Sequence, residues 1–454
     1  MSEEKSILET ESIPRLMLKL GLPTVLAQLI ALLYNIVDRI YIGHIPEVGS
    51  EALTGVGVTL PLIITLNAFA VFIGAGGAPL MSIAMGAREQ EKAKTILNNS
   101  FGLLLIFAAS LFLVYTFFKT NLLYAFGATP NIMPYAESYI AICTWGIFFV
   151  QLSLGLNPFI SAQGYAKTAM LSITIGAIVN IVLDPIFIFY FHWGVKGAAF
   201  ATIISQAISA VWVVYFLMSP KSMVVLEPRR LKLDGPIVKR ILALGSSPFI
   251  MQLTESAIII VFNTNLKQYG GYLHLGTMTI LQSIMQMIFI PVNGFRTGVQ
   301  PIMSYNFGAR NFARVKATAF WTIGICFAYA FVFSLVCIFF PESFARIFAD
   351  KKNGAALIAL VGKYLPIFVS GMLIFGIQMG GQAYFVALGQ AGKSAFLALW
   401  RKVILLIPLA YILPRYYGIE GVYWAEPIAD WISGLTCGAL FFFTYKHLLN
   451  EKYK

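Results

Sequence analysis

Across 454 residues the chain is 58% hydrophobic and only 11% charged, with a mean hydropathy of +0.78, whereas a soluble domain carries roughly a quarter charged residues. This balance excludes a water-soluble globular domain and predicts an all-α polytopic membrane protein, because apolar runs long enough to cross a bilayer recur throughout. The net charge of +12 does not imply nucleic acid, since no basic patch is interleaved with aromatic residues and an excess of Lys and Arg on inner loops accounts for it.

In chain order, residues 1–12 are polar and acidic, with Glu3, Glu4, Glu9 and Glu11, and no cleavable signal peptide is read before the first apolar run. Twelve transmembrane helices are predicted, roughly over 15–42, 53–85, 94–118, 134–157, 165–191, 195–218, 237–268, 274–305, 315–341, 357–385, 393–416 and 420–446. Lys and Arg concentrate on the connections that an N-in, C-in topology places in the cytoplasm; Lys393, Arg401 and Lys402 are read with these inner charges. The outer segment 341–364 is the exception, carrying Arg346, Lys351, Lys352 and Lys363. The four cysteines, Cys143, Cys326, Cys337 and Cys437, sit in apolar runs without metal or disulfide spacing and read as small core residues.

The midpoint stretch 219–236 holds Lys221, Arg229, Arg230 and Lys232 with Pro220, Pro228 and Pro236, and reads as a cytoplasmic linker. It separates an N-terminal bundle, 1–218, from a C-terminal bundle, 237–454. Internal repeats support this division. Pro79-Leu80-Met81-Ser82 with Gly86-Ala87-Arg88 returns as Pro301-Ile302-Met303-Ser304 with Gly308-Ala309-Arg310, and Gly194-Val195-Lys196-Gly197 returns as Gly418-Ile419-Glu420-Gly421. Two six-helix halves starting on the same side are related by a pseudo-two-fold axis along the membrane normal, an arrangement that places substrate between them. Gly74-Ala75-Gly76-Gly77-Ala78 has no Lys-Ser/Thr and sits inside a helix, so it reads as a close helix contact and not a phosphate loop.

The chemistry concentrates on Asn180-Ile181-Val182-Leu183-Asp184-Pro185. One helical turn separates Asn180 from Asp184, so both share a face. An acid inside a membrane helix is costly and marks a functional site by default. Pro185 removes a backbone donor and frees the carbonyl of Ile181, predicting a hinge beside the acid. Counting ~1.5 Å per residue puts Asp184, Asp38 and Thr202 all in the outer half of the first bundle. Two carboxylates, an amide and a hydroxyl offer hard oxygen ligands for a small cation such as Na+, or a shared proton. Asp38 is also readable as an interfacial acid paired with Arg39. Glu255 is a further deep acid in the second bundle, readable as well as a structural carboxylate bonded to Gln252 or Gln282. The first half is expected to hold the richer acid cluster. The cavity between halves is expected to be lined by polar, aromatic and Met side chains, among them Tyr34, Tyr139, Asn157, Gln282, Met285 and Gln378.

Gln300-Pro301-Ile302-Met303-Ser304-Tyr305-Asn306-Phe307-Gly308-Ala309-Arg310 resembles the eighth-helix signature of the multidrug and toxic compound extrusion (MATE) family. Leu20-Gly21-Leu22-Pro23, Asp38-Arg39-Ile40-Tyr41-Ile42-Gly43 and the Asn180–Pro185 stretch resemble its first and fifth helices. The resemblance runs from about residue 14 to 446 and is nearest in flavour to the bacterial MepA-like branch. It implies two bundles around a V-shaped cavity in a bacterial cytoplasmic membrane. It also implies export of organic, often cationic, drugs in exchange for H+ or Na+, with no cofactor, no enzymatic activity and a monomeric chain. The cation or proton site of DinF-type members maps onto Asp38, Asn180, Asp184 and Thr202, and positions near bound drug map onto Tyr34 and Asn157. The helix-seven acid of NorM-type members is matched by Glu255; its helix-ten partner is not, since Ile377 and Gln378 stand there. A rival reading is a flippase for lipid-linked saccharides of the same superfamily, which would want a strongly cationic cavity; Arg296 is the one base read as deep.

Overall fold

The computed structural model describes residues 6–348 and 354–449; Lys351, Lys352 and the extreme ends of both tails lie outside the described residues. The chain forms α1 (Ile7–Thr10), α2 (Ile13–Gly43), α3 (Gly49–Gly86), α4 (Gln90–Ala125), α5 (Met133–Trp145), α6 (Ile147–Ala162), α7 (Ala166–Pro185) and α8 (Gly194–Met218). After the central segment come α9 (Gly235–Tyr269), α10 (Gly271–Gly308), α11 (Phe312–Phe339), α12 (Pro341–Phe348), α13 (Ala355–Val369), α14 (Met372–Ala387), α15 (Ala391–Leu399), α16 (Ile407–Tyr417) and α17 (Ile419–Leu449). Helices dominate because a membrane offers no solvent partner for backbone N–H and C=O groups, so each segment must satisfy its own. Among the described residues ten helices are long and apolar enough to span, or twelve with each of the bent pairs α5–α6 and α13–α14 counted as one span.

Those two bends fall within the single helices expected over 134–157 and 357–385. They measure 61° at Gly146 and 45° at the Ser370–Gly371 step. No proline sits at either break. A neighbouring helix presses against a glycine instead: a Cβ on Gly146 would stand 2.8 Å from Ile203 Cγ1, and one on Gly371 2.8 Å from Pro427 Cα. Gly-containing breaks of this kind are a recognised cause of kinks. Trp431 Nε1 donates to the Ser370 carbonyl at 2.9 Å, fixing the second bend.

The repeated Gly-Ala-Arg motif has a structural explanation. Both α3 and α10 end in it, with Arg88 (φ 60°) and Arg310 (φ 58°) in the left-handed region. Glu89 N donates back to Ala84 O and Asn311 N to Asn306 O, closing the two helices in the same way. The glycines serve a second purpose. A Cβ on Gly86 would lie 1.9 Å from the Tyr305 carbonyl oxygen, and one on Gly308 1.9 Å from that of Ile83. Backbone therefore touches backbone where α3 and α10 cross. The glycine run in α3 works likewise, with Gly76 against the Ile241 carbonyl.

These contacts join α2 and α3 to α9 and α10. They lie towards the start of α2, where Gly21 meets Phe295, and towards the end of α10, where Gly298 meets the Leu20 carbonyl. One apolar core there contains Leu16, Met81 and Met85 together with Ile241, Val299 and Ile302. Small residues that let helices approach are the expected means of packing in lipid, where the hydrophobic effect drives little association between helices. Large apolar side chains such as Phe117, Phe320 and Phe339 point outward, as suits a chain solvated by hydrocarbon.

The central segment is strapped down, unlike a free linker. Asn98 Oδ1 accepts from Glu227 N at 3.0 Å, and Asn99 accepts from Asp234 N at 2.7 Å while donating to the Lys232 carbonyl at 3.2 Å. Gln163 Oε1 accepts from Ser222 Oγ and Val224 N. At the same end α1 bridges the two runs of helices: Asn306 Nδ2 and Arg314 donate to the Leu8 carbonyl, and Ile7 packs on Gly164.

Candidate functional site

Asp184 and Asn180 stand one turn apart on α7, both fully or nearly fully buried. Asn180 Nδ2 donates to Asp184 Oδ1 at 3.2 Å. Just beyond, Pro185 ends the regular helix and Ile186–Tyr190 continues as a wider π turn, which accommodates the backbone donor that proline lacks. Asp38 on α2 faces Asp184 closely enough for their carboxylates to hydrogen-bond once one of them carries a proton. Three buried acceptor oxygens have no donor: Asp38 Oδ1, Asp184 Oδ2 and Asn180 Oδ1. An acceptor-rich pocket of this kind is costly unless a proton or cation enters it.

Tyr139 on α5, expected in the substrate cavity, stands beside these acids. It is 4% exposed, packed among Ile42, Val56 and Ile188, and its side chain reaches Thr202 on α8 and the neighbourhood of Asp38 and Asp184. Thr202 thus joins the acids through Tyr139. Tyr34, one turn before Asp38, is half-buried beside it. Among the described residues, no three His, Cys, Asp or Glu side chains converge as ligands for a metal ion.

Other expected cavity residues are differently placed. Met285 is buried in the core of the second half with Phe262 and Ile288. Gln378 is 1% exposed and accepts from Ser433 Oγ, which binds it to α17. In this structure both are buried in packing positions, and neither is open to a cleft. Asn157 is half-buried, and its amide donates to the Ala169 carbonyl at 2.9 Å and Ser172 Oγ at 2.6 Å, holding α6 to α7. Gln282 is half-buried on α10.

The second half corrects the sequence reading further. Glu255 bonds neither Gln252 nor Gln282; it accepts from Lys402 Nζ at 2.7 Å, with its own side chain half exposed and that of Lys402 5% exposed. Arg401, also read with the inner-loop charges, is 1% exposed. Its Nε donates to Asp430 Oδ1 at 2.6 Å, Nη2 lies 3.3 Å from Glu426 Oε1, and the guanidinium rests 4.2 Å above the Phe375 ring. Arg401 and Lys402 open a π segment, Trp400–Leu406, that turns two consecutive residues inward. The expectations of one deep base and of a richer acid cluster in the first half therefore both fail. The missed signal was present: Glu426 and Asp430 repeat the four-residue spacing of Asn180 and Asp184, and Arg401-Lys402 interrupts an apolar run without a proline or glycine beside it.

The chain matches the MatE family over residues 23–186 and 248–412. It is 26% identical to the multidrug export protein MepA of Staphylococcus haemolyticus over 99% of this chain and 97% of that one. It is 24% identical to MepA of Staphylococcus aureus strain MRSA252 over 95% and 94%. Its fold superposes on an outward-facing multidrug resistance MATE family transporter of the MOP superfamily with a TM-score of 0.90 at 23% identity, covering 98% of this chain and 99% of that one. It superposes equally, at 0.90 and 24% identity, on a MOP superfamily transporter from Pyrococcus furiosus described as having a binding pocket of reversed polarity, covering 98% and 100%. The chain is a multi-pass membrane protein of the MatE family, a family of transporters and not enzymes, and within it is MepA-like.

Proposed function

We propose that this protein is a multidrug efflux antiporter of a bacterial cytoplasmic membrane, exporting organic, often cationic, compounds in exchange for H+ or Na+. The observation that carries the reading is the facing pair Asp38–Asp184, with its three donor-less oxygens buried between α2 and α7. Two carboxylates at that distance repel until one positive charge enters. Loading the pair lets α2 repack against the π turn after Pro185, which reshapes the cleft and releases drug. Asn180 and Thr202, with Tyr139 between Thr202 and the acids, complete the site; Tyr34 and Gln282 face substrate.

The moving units are residues 1–218 and 237–454, joined by 219–236, with both termini cytoplasmic and the chain working as a monomer. The glycine-sealed end, where α3 crosses α10, is then the cytoplasmic gate in its closed state. A membrane potential supplies about 2.3 kcal/mol per 100 mV for each net charge moved inward, so it drives export of a neutral drug, while one-for-one exchange with a monocation draws on the ion gradient alone. The lipid-saccharide flippase reading is weaker, because the deep bases Arg401 and Lys402 are already paired with carboxylates, which leaves Arg296, bonded to Asn293 Oδ1 at 2.6 Å, to meet an anionic headgroup.

Efflux of ethidium from proteoliposomes under an imposed pH gradient, or separately under an imposed Na+ gradient, tests the proposal. One of the two gradients is expected to accelerate efflux severalfold. Efflux indifferent to both would refute it.

A further inference from the structure

The charged cluster of the second half has no place in the scheme above. Glu255, Glu426 and Asp430 contribute three negative charges, and Arg401 and Lys402 two positive ones. Lys402 is matched to Glu255. Arg401 alone bonds both Glu426 and Asp430, four residues apart on α17, while Lys402, held by Glu255, acts on them only across a longer distance. A guanidinium never gives up its charge in a protein, so one carboxylate is left over. Asp430 is fully buried, and its Oδ2 has no donor. An uncompensated buried carboxylate is among the costliest groups a fold can hold.

Among the described residues, the charged groups that act on Asp430 are Arg401, Lys402 and Glu255, and Lys363 of α13, packed on the same helix, is held by Glu420 at 2.8 Å. The α9 face contributes Glu255 and the Trp400–Leu406 segment Arg401 and Lys402. From α14 comes the neutral Gln378, bonded to Ser433. One turn away, Tyr423 is bonded to His274 of α10 at 3.0 Å and stacked on Tyr364 of α13. The space is also tight: a Cβ on Gly371 would meet Asp430 Cβ at 2.9 Å and Oδ2 at 3.1 Å. An ion with a coordination shell does not fit between α14 and α17 there, whereas a proton needs no room.

We infer that the second half carries its own proton-binding site, in which Glu426 and Asp430 share one proton beside Arg401. It is separate from the Asp38–Asp184 pair and stands whether or not that pair couples transport. Its position matters, because Asp430 is wedged against the glycine where α13 turns into α14. Loss of the proton places a bare negative charge at that bend, so protonation favours the bent arrangement.

The test is infrared absorption of the purified protein in liposomes at neutral pH, in the region where protonated carboxyl C=O groups absorb apart from carboxylates and amides. A buried carboxylic acid band is expected in the wild type. One component of that band should vanish in both Glu426→Gln and Asp430→Asn, since removing either acid leaves the other balanced by Arg401, and should persist in Asp184→Asn, whereas a component from the Asp38–Asp184 pair is lost only in Asp184→Asn. Because both variants are charge-balanced, each should melt no lower than the wild type. The inference is overturned if neither substitution removes a component of the band, if Na+ at constant pH abolishes the component that they remove, or if both variants fail to fold.

Discussion

Replacing Gly308 by Ala tests the gate most simply. The added Cβ would lie 1.9 Å from the Ile83 carbonyl oxygen, and ordinary contact begins at 3.4 Å. The crossing of α3 and α10 must then open by about 1.5 Å, the difference between those separations. Neither partner can yield alone, because both contacting groups are helix backbone. Overpacking of this kind costs roughly 1–3 kcal/mol. That penalty applies only while the sealed end is closed, so it shifts the population by roughly 5- to 150-fold towards the state open at that end. Spin labels at Glu91 and Lys239, exposed on α4 and α9, report the separation in nanodiscs. The distribution should gain a longer component in Gly308→Ala, and Gly324→Ala, which meets nothing within 4 Å, should leave it unchanged. Identical distributions in wild type and Gly308→Ala, with equal Tm, would refute the reasoning.

Two further expectations concern polar contacts. Arg401→Met leaves Glu426 and Asp430 buried without a cation and should destabilise the protein by about 3–5 kcal/mol, read as a large fall in Tm in detergent. Asn99→Ala removes the side chain that accepts from Asp234 N and donates to the Lys232 carbonyl, at a cost of about 1–3 kcal/mol for the groups left unpaired. The central segment should loosen, and trypsin should cut at Arg229 and Arg230 severalfold faster; an unchanged cleavage rate would mean the strap holds without Asn99.

Much of the architecture is legible in the sequence, because each membrane segment must satisfy its own backbone and so declares itself as an apolar run. The Gly-Ala-Arg repeat betrays the duplication, since both copies need a left-handed residue and a backbone contact at the same place. The bends at Gly146 and Gly371 are not legible: each glycine becomes a kink only because Ile203 or Pro427 packs onto it from a distant helix. The same limit governs the sites. Asn180 and Asp184 can be paired by helical spacing alone. The Arg401 cluster requires knowing that a π segment turns two adjacent cations inward to meet α17 and α9. Likewise, Tyr139 reads as a cavity aromatic until α5 bends and carries it to Thr202.

The coupling role of the Asp38–Asp184 pair is the centre of the account, and Asp184→Asn in proteoliposomes probes it directly. Asn keeps the side-chain volume and an acceptor oxygen while removing the charge, so ethidium binding should survive. Efflux driven by the imposed ion gradient should fall to the level of passive leak. Gradient-driven efflux undiminished in Asp184→Asn would contradict the account.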